Sequence, residues 1–308
     1  MLETREPDWA RVVWSLTKVL AVTAALSLAA YVADRVLWVF VDFGTEQKAS
    51  MYGTAARIAN PDKRFVYGSS HDSGLLESRY TLWGEPRRAG PSEGRTEYTI
   101  TENVFGSVRA PFLDKPDGSV ADAIDYVETG HDPAGKDKVR EIIDALPQTL
   151  KTVAVVEFTR EMTTTQLMAF NRAYKICGGP DVSYIYYPSY YDDSSDPDSM
   201  NAITWNRDMT RDTYMPEVQY QCEGEPSPAL EEFRKWVGLL NEGDDLYAFE
   251  LDHDWLTRAA EEGVVYGLLL DGWKLSDVRR LLDNPQVESV YLADVAHDIS
   301  GPVSGRER

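Results

Sequence analysis

The sequence predicts an α+β protein carried on a single membrane-spanning helix near its N-terminus. Two observations support this prediction: residues 12–33 are almost uncharged, and the second half of the chain alternates apolar strand patterns with amphipathic helix patterns. Of the 308 residues, 43% are hydrophobic and 27% are charged, which is typical of a chain that folds by burying side chains. We therefore expect the bulk of the chain to fold.

The apolar segment, residues 12–33, contains one charge, at Lys18 near its start. The flexible stem of Lys18 reaches back to the lipid headgroups, so the segment is long enough to cross a bilayer. Aromatic side chains suited to the two membrane interfaces lie near its ends, at Trp9, Trp14, Tyr31 and Trp38. A buried core helix and a cleaved signal peptide are the alternatives. They fit less well, because the segment has no polar face and the residues before it are not positive overall.

Basic residues are more frequent before the apolar segment than after it. Arg5, Arg11 and Lys18 precede or open the segment, whereas Arg35 and Lys48 follow it. By the positive-inside rule we expect a cell-membrane protein with its N-terminus inside and its C-terminal region extracytoplasmic.

Five parts are predicted along the chain. They are a short cytoplasmic leader (1–11), the transmembrane helix (12–33), a stalk and small β-rich domain (34–133), an α+β domain (134–300) and a tail (301–308). The stalk begins as a helix over 45–59 that Asn60 and Pro61 end. Three strand patterns, separated by Gly- and Pro-rich turns, follow at 64–67, 79–83 and 95–101.

The α+β domain opens with residues 152–158, TVAVVEF, which are apolar on both faces, as a central strand requires. A helix follows, because Thr163 and Gln166 have the spacing of a capping box, and then a strand at 182–187. Two amphipathic helices come next, one opened by Ser227 and Pro228 and the other at 254–262.

A second strand-helix-strand unit closes the chain. Its strands are predicted at 264–270 and 287–293, and Ser276 is expected to cap the helix between them. Because right-handed crossovers leave few ways of combining two such units in one sheet, we predict a ferredoxin-like (βαβ-βαβ) arrangement.

Common catalytic motifs are missing from the sequence, and we predict no catalytic residue, no cofactor and no metal site. Ser70, His71 and Asp72 are consecutive, but adjacent side chains of a strand point apart, so we do not interpret them as a catalytic triad. The aspartates at 192–198 lack the spacing and the glycine of a calcium loop, and we interpret them as a solvated acidic loop.

The charge balance excludes one class of partner. Acidic residues outnumber basic ones by 51 to 31, and the net charge is −20. Such a chain repels phosphate backbones, so nucleic acid is not expected as a direct partner.

The two cysteines, Cys177 and Cys222, are a candidate disulfide, because an extracytoplasmic location permits one. The alternative is that Cys177, which is in phase with an apolar helix face, is a buried small hydrophobic residue. Tyr187, Tyr190 and Tyr191 belong to a cluster of tyrosines that either packs in the core or forms a recognition surface, since exposed tyrosine supplies large contact area.

Several segments after the membrane helix resemble a known family. They are IANPDKRF, YTLWGE, LPQTLKTVAVVEFTREMTTTQL and VVYGLLLDGWKLSDVRRLLDNPQVESVYLADV. From about residue 12 to residue 295 the chain resembles the sigma-factor regulators, which are membrane-bound anti-sigma factors. The resemblance implies negative control of an extracytoplasmic-function sigma factor and transfers no catalytic residue.

The leader, residues 1–11, is too short to fold into a sigma-binding domain, because a core cannot be built at that length. We therefore expect the chain to act through a small membrane partner or as a sensor alone.

From these features we predict a single-pass membrane regulatory or sensor protein of an anti-sigma system, and not an enzyme. Its expected partners are membrane lipid, through residues 12–33, and a protein, either a sigma factor or a small membrane anti-sigma partner. The alternative is a cell-envelope binding or scaffold module with no role in transcription, and the third hypothesis is an extracytoplasmic enzyme. Gene neighbourhood distinguishes the first two, because a regulator is expected beside a sigma-factor gene.

Overall fold

The structure is a computed structural model of the chain. It describes residues 9–41, 45–74, 77–91, 94–110, 119–129, 135–176, 181–188, 202–207, 209–210 and 226–297.

The first helix, α1, covers Trp9–Val41. Within it, the 25 residues Trp9–Ala33 have a mean hydropathy of 1.7, and none of their most apolar stretch is buried against the rest of the chain. At a rise of 1.5 Å per residue this stretch is about 37 Å long, which exceeds the ~30 Å of a bilayer's hydrocarbon core. Among the described residues this is the one helix long and apolar enough to cross a membrane.

The second helix, α2, covers Thr45–Ala59, the range predicted from the sequence. It differs from the expected stalk because most of it is buried: Met51, Tyr52, Ala55 and Ala56 have almost no exposed surface. The small alanine side chains let neighbouring elements approach α2 closely. The helix that follows the membrane segment is therefore a core helix of the fold.

A four-stranded antiparallel sheet, called here the meander sheet, comes next. Its strands are β1 (Lys63–Gly74), β2 (Glu77–Pro86), β3 (Thr96–Asn103) and β4 (Val108–Arg109), paired in chain order. Along β2, Ser78, Tyr80 and Leu82 are buried whereas Arg79 and Trp83 are exposed. This alternation places one apolar face of the sheet against α2.

The rest of the chain builds a five-stranded sheet and its helices. These elements are α3 (Ser119–Thr129), α4 (Lys136–Asp144), β5 (Lys151–Met162), α5 (Thr164–Tyr174), β6 (Val182–Tyr186), β7 (Ile203–Trp205), α6 (Pro226–Val237), a 3-10 turn (Tyr247–Phe249), α7 (His253–Glu262), β8 (Val265–Lys274), α8 (Leu275–Leu281) and β9 (Val287–Ala296). The strand order is β7-β6-β8-β5-β9, and every neighbouring pair is antiparallel.

Helices or loops cover both faces of the five-stranded sheet. On one face Val153 and Val155 of β5 pack with apolar residues of α3. On the other, Ala154 and Val156 belong to a core that also contains residues of α2, the meander sheet and α5 to α8. The prediction of a strand buried on both sides is confirmed. The two sheets share one continuous hydrophobic core.

Helix starts agree with the sequence predictions in part. Thr163 and Gln166 form the predicted capping box at the start of α5. Ser276 does not cap α8, because Lys274 occupies the N-cap position and the backbone N–H of Ser276 donates to the carbonyl of Gln148 instead. The helices α3 and α4 and the short strand β7 were not predicted.

The fold class is confirmed as mixed α and β with one apolar N-terminal helix, and the described strands form two antiparallel sheets.

Candidate functional site at the junction of the two sheets

Helix α2 connects the meander sheet to the second half of the chain. The Thr54 hydroxyl and the Arg57 guanidinium both donate to the carbonyl of Met209, at 3.2 and 2.6 Å. The ring of Tyr52 stacks on that of Phe249, with centroids 5.8 Å apart. These buried contacts tie α2 to the second half of the chain.

Four residues form what we call the anchor-end cluster, near the start of α2. The Glu102 carboxylate of β3 is buried, with 5% of the residue exposed. It makes an ion pair with Lys48 of α2. The hydroxyls of Tyr52 and Tyr80 lie 3.4 and 3.1 Å from the two oxygens of the same carboxylate. One buried acidic group is thereby shared by α2, β2 and β3.

Burial sets the protonation of the two hydroxyls. It raises the pKa of Tyr52 and of Tyr80 above the ordinary value, and the nearby Glu102 carboxylate raises both further. Both hydroxyls therefore stay protonated at neutral pH and can donate hydrogen bonds to Glu102. Lys48 is half-exposed, so the cation of the cluster remains in contact with water.

A second group, the junction cluster, joins the meander sheet to the five-stranded sheet. Its members are Arg64, Arg87 and Asp271. Arg64 binds the Asp271 carboxylate through two nitrogens, with Nε 2.6 Å from Oδ2, and Arg87 Nη1 lies 2.6 Å from the same Oδ2. The side chains of Asp271 and Arg87 are only 6% and 7% exposed, and that of Arg64 is partly exposed.

The junction cluster satisfies most of its own donors. Arg87 Nε donates to the carbonyl of Pro61, and Arg64 Nη2 donates to the carbonyl of Arg88. Burial lowers the pKa of Arg87, while the Asp271 charge opposes this; for Arg64 the hydrogen bond to Asp271 raises the pKa. Both guanidinium groups stay charged, because arginine does not lose its proton in proteins.

A bulge in the strand pair β5–β8 orients the Asp271 side chain. The register between the two strands shifts at Asp271, and Gly272 beside it has a φ of +70°. Glycine adopts this backbone conformation without steric cost, whereas other residues do not. Bulges re-aim a side chain in this way, and this one lies beside the carboxylate that faces Arg64 and Arg87.

Both clusters are charged joints. Removing one partner of a buried pair leaves an uncompensated charge in the interior, which is strongly unfavourable. Each cluster thus fixes the position of one element on another: α2 on β2 and β3, and the meander sheet on β8. A structural change at either joint has to move the elements that share it.

The predicted recognition surface falls partly outside the described residues. Tyr187 is half-buried, and its ring packs edge-on against Trp255 at 4.8 Å and against Tyr266 at 6.0 Å. Tyr187 therefore contributes to packing. Tyr190, Tyr191 and both predicted disulfide partners, Cys177 and Cys222, lie outside the described residues.

Other sequence candidates fall wholly or partly outside the described residues. Ser70, His71 and Asp72 occupy consecutive positions of β1, and their side chains lie outside the described set. So does the whole acidic loop at 192–198. Within the described ranges, no group of three or more His, Cys, Asp or Glu residues has the arrangement of a metal site.

Neither cluster was predicted from the sequence, although each has a sequence signal. Along β3 the period of two puts Tyr98, Ile100 and Glu102 on one face, so an acidic residue occurs at an apolar position. Asp271 directly ends the apolar run VVYGLLL. A charge in phase with a buried face needs a partner, and this signal pointed to buried ion pairs.

Comparison with known proteins finds no family model that matches the chain, and no curated protein or solved structure that is significantly similar to it. A function for the chain therefore has to be argued from its own residues.

Proposed function

We propose that the chain is a single-pass membrane regulatory protein whose folded α+β region senses a signal or binds a partner and passes the change to the membrane helix. One observation carries this proposal: α2, the helix that begins just after α1, is also the core helix shared by both sheets.

Only residues 42–44 separate the last residue of α1 from the first residue of α2. Four Cα steps span at most about 14 Å, so the two helices stay close in any arrangement. Because protein interiors are close-packed, a displacement of α2 disturbs the anchor-end cluster and the contacts to Met209 together. This coupling supports communication between the membrane helix and the folded region.

The regulatory role is proposed within an anti-sigma system, on the strength of the resemblance to sigma-factor regulators. The partner is then an extracytoplasmic-function sigma factor or a small membrane anti-sigma protein. The excess of Arg5, Arg11 and Lys18 over the basic residues that follow the span supports an N-inside, C-outside orientation.

We also propose that the five-stranded sheet is an extended ferredoxin-like arrangement. Without β7, the strand order is β6-β8-β5-β9, which is the order 2-3-1-4 of four antiparallel strands. A split β-α-β arrangement gives this order, because a strand from the second unit inserts between the two strands of the first. The connection from β6 to β8 would then carry the additions β7, α6 and α7.

A bacterial two-hybrid screen tests the regulatory role directly. The full chain is screened against the sigma factors of its host and against the small membrane proteins encoded beside them. We expect at least one specific interaction, and loss of that partner's regulon control when the gene is deleted. A chain that pairs with none of them, and whose deletion leaves the transcriptome unchanged, would exclude this function.

Two insertions test the coupling through α2. A flexible six-residue Gly/Ser insertion within 42–44 should leave the chain anchored and folded but abolish regulation, because it separates α1 from α2. The matched control carries the same insertion after Gly94, an exposed turn position where a Cβ would meet no atom within 4 Å. Equal regulation by both variants, with unchanged melting temperatures, would show that α2 transmits nothing.

A further inference from the structure

Two aromatic side chains project into solvent at one end of the fold. Phe105, in the turn between β3 and β4, is 91% exposed, and Tyr247, in the 3-10 turn, is 90% exposed. The backbone N–H of Val108 in β4 donates to the Asp245 carboxylate at 2.9 Å, which ties the two turns together. We call Phe105 and Tyr247 the aromatic tips.

The turn that carries Phe105 is held by its own hydrogen bonds. The Asn103 side-chain oxygen accepts from the backbone N–H groups of Phe105 and Ser107, at 2.9 and 3.1 Å. Gly106 has a φ of +82°, a conformation that lets the turn close tightly. The exposed phenyl ring is therefore presented by an ordered turn.

The turn that carries Tyr247 is fixed in a different way. Its neighbours Leu246 and Phe249 are buried and hold the turn in the core on both sides of the exposed ring. Phe249 stacks on Tyr52 of α2. An aromatic ring presented on a rigid support is suited to an interfacial environment, where one side is apolar and the other is in water.

The aromatic tips lie at the end of the meander sheet where α2 begins. Lys48, in the first turn of α2, pairs with Glu102, the neighbour of the turn residue Asn103. At the other end of α2, the backbone N–H of Arg87, just beyond the far end of β2, donates to the backbone carbonyl of Asp62. The helix thus runs along the sheet with its membrane-linked start beside the tips.

Chain connectivity keeps this end close to the membrane helix. Four Cα steps join Val41 to Thr45, a reach of at most about 14 Å. Residues 36–41, which follow Asp34 and Arg35, are again apolar, so α1 is hydrophobic up to its C-terminal end. The interfacial layer on each side of a bilayer is about 5–8 Å thick.

We propose that the aromatic tips dock onto the surface of the bilayer that α1 crosses, with both rings in the interfacial layer. This inference rests on the membrane crossing in the proposed function. Phenylalanine and tyrosine suit that layer, because an apolar ring enters the lipid while a hydroxyl stays with the headgroups.

Charge limits the contact to the tips and favours an uncharged lipid surface. Asp244 and Asp245 lie beside Tyr247, and the chain has a net charge of −20. Anionic headgroups repel such a surface. The docking lipid is therefore zwitterionic, and the tips should leave the interface as the anionic fraction rises.

Spin labelling of the full chain in phosphatidylcholine vesicles tests the proposal. Single cysteines replace Phe105 or Tyr247, with Cys177→Ser and Cys222→Ser to remove other labelling sites. The matched control is Thr96→Cys, exposed at the opposite end of β3, about 24 Å from Asn103 at 3.4 Å per residue. The readout is the collision of each label with oxygen, which concentrates in lipid, and with a water-soluble nickel chelate.

Labels at positions 105 and 247 should be at least threefold less accessible to the nickel chelate than the label at 96, and more accessible to oxygen. Equal accessibility of all three labels in vesicles that retain the chain overturns the docking but not the membrane crossing. Failure of the chain to float with the vesicles overturns both. If the labels at 105 and 247 are inaccessible to the nickel chelate in native membranes but accessible to it in pure lipid vesicles, the tips contact a protein partner and the lipid contact is contradicted.

Discussion

Replacing Asp271 with alanine removes the carboxylate that Arg64 and Arg87 share. Arg87 would then remain in the interior with its side chain 7% exposed and no opposing charge at its Nη1. Removing one partner of a buried ion pair costs about 3–5 kcal/mol. For a folded region of this size, each kcal/mol lowers the melting temperature by roughly 2–4 °C, so we expect a decrease of about 6–20 °C.

The measurement is thermal unfolding of the detergent-solubilised chain, followed by circular dichroism and tryptophan fluorescence. Asp137→Ala is the matched control, because Asp137 pairs with Arg140 while its side chain is 96% exposed. Surface substitutions of this kind change the free energy of unfolding by about 0.5 kcal/mol or less. The two variants lose the same kind of carboxylate, so burial is the main difference between them.

A second comparison separates charge from packing. Arg87→Met combined with Asp271→Asn removes both charges of the more buried pair, and the double variant should be more stable than the sum of the single losses predicts. If Asp271→Ala melts within 2 °C of the wild-type chain, or if the double-mutant cycle shows no coupling between the two residues, the buried ion pair does not stabilise the fold as expected.

Three further outcomes are expected. Gly267→Ala should lose about 1–3 kcal/mol of stability in the same thermal assay, because a Cβ there would lie 2.4 Å from the carbonyl oxygen of Val156. Gly243→Ala is the control and should melt like the wild type, because a Cβ there would meet no atom within 4 Å. Equal melting temperatures for the two variants would contradict the close packing at Gly267. The pKa of each tyrosine hydroxyl in the anchor-end cluster is raised from 10.0, so the stability that the protonated hydroxyl gives is complete below about pH 10 and is lost as the pH rises further. In a titration followed at 295 nm, Tyr80→Phe should remove a tyrosine ionisation that occurs only on unfolding. If the ionisation that it removes occurs in the folded chain, Tyr80 is not buried. Cys177 and Cys222 should resist maleimide in denatured, unreduced protein from the cell envelope, and labelling of both excludes the disulfide.

Elements with a clear period or a cap were predictable from the sequence. Strand β5 was found because its residues are apolar on both faces, and α5 because Thr163 and Gln166 mark its start. The buried face of α6, including Phe233 and Trp236, also follows from the helical period. In these cases local pattern and tertiary burial agree.

Other elements have weak local signals. Helix α4 buries only Val139 and Ile143 in a segment that is otherwise mostly polar, and β7 has three residues. The sequence did not indicate that α2 is buried, because Ala55 and Ala56 are small and small residues add little to a hydropathy pattern. Packing against both sheets, rather than propensity, decides where α2 lies.

The candidate site was beyond prediction for a different reason. Arg64 and Asp271 are 207 positions apart in the chain, and no period or motif relates them. The sequence signals only that buried acidic residues occur at Glu102 and Asp271. Their partners come from strand register and from the bulge at Gly272, which are tertiary features.

The proposed function requires that α1 crosses a membrane and holds the acidic fold against it. Carbonate extraction of membranes from cells that express the full chain tests this requirement directly. We expect the chain to stay in the membrane pellet at high pH and to be released only by detergent. Recovery of the full-length chain in the carbonate supernatant would contradict the anchor and, with it, the proposed coupling through α2.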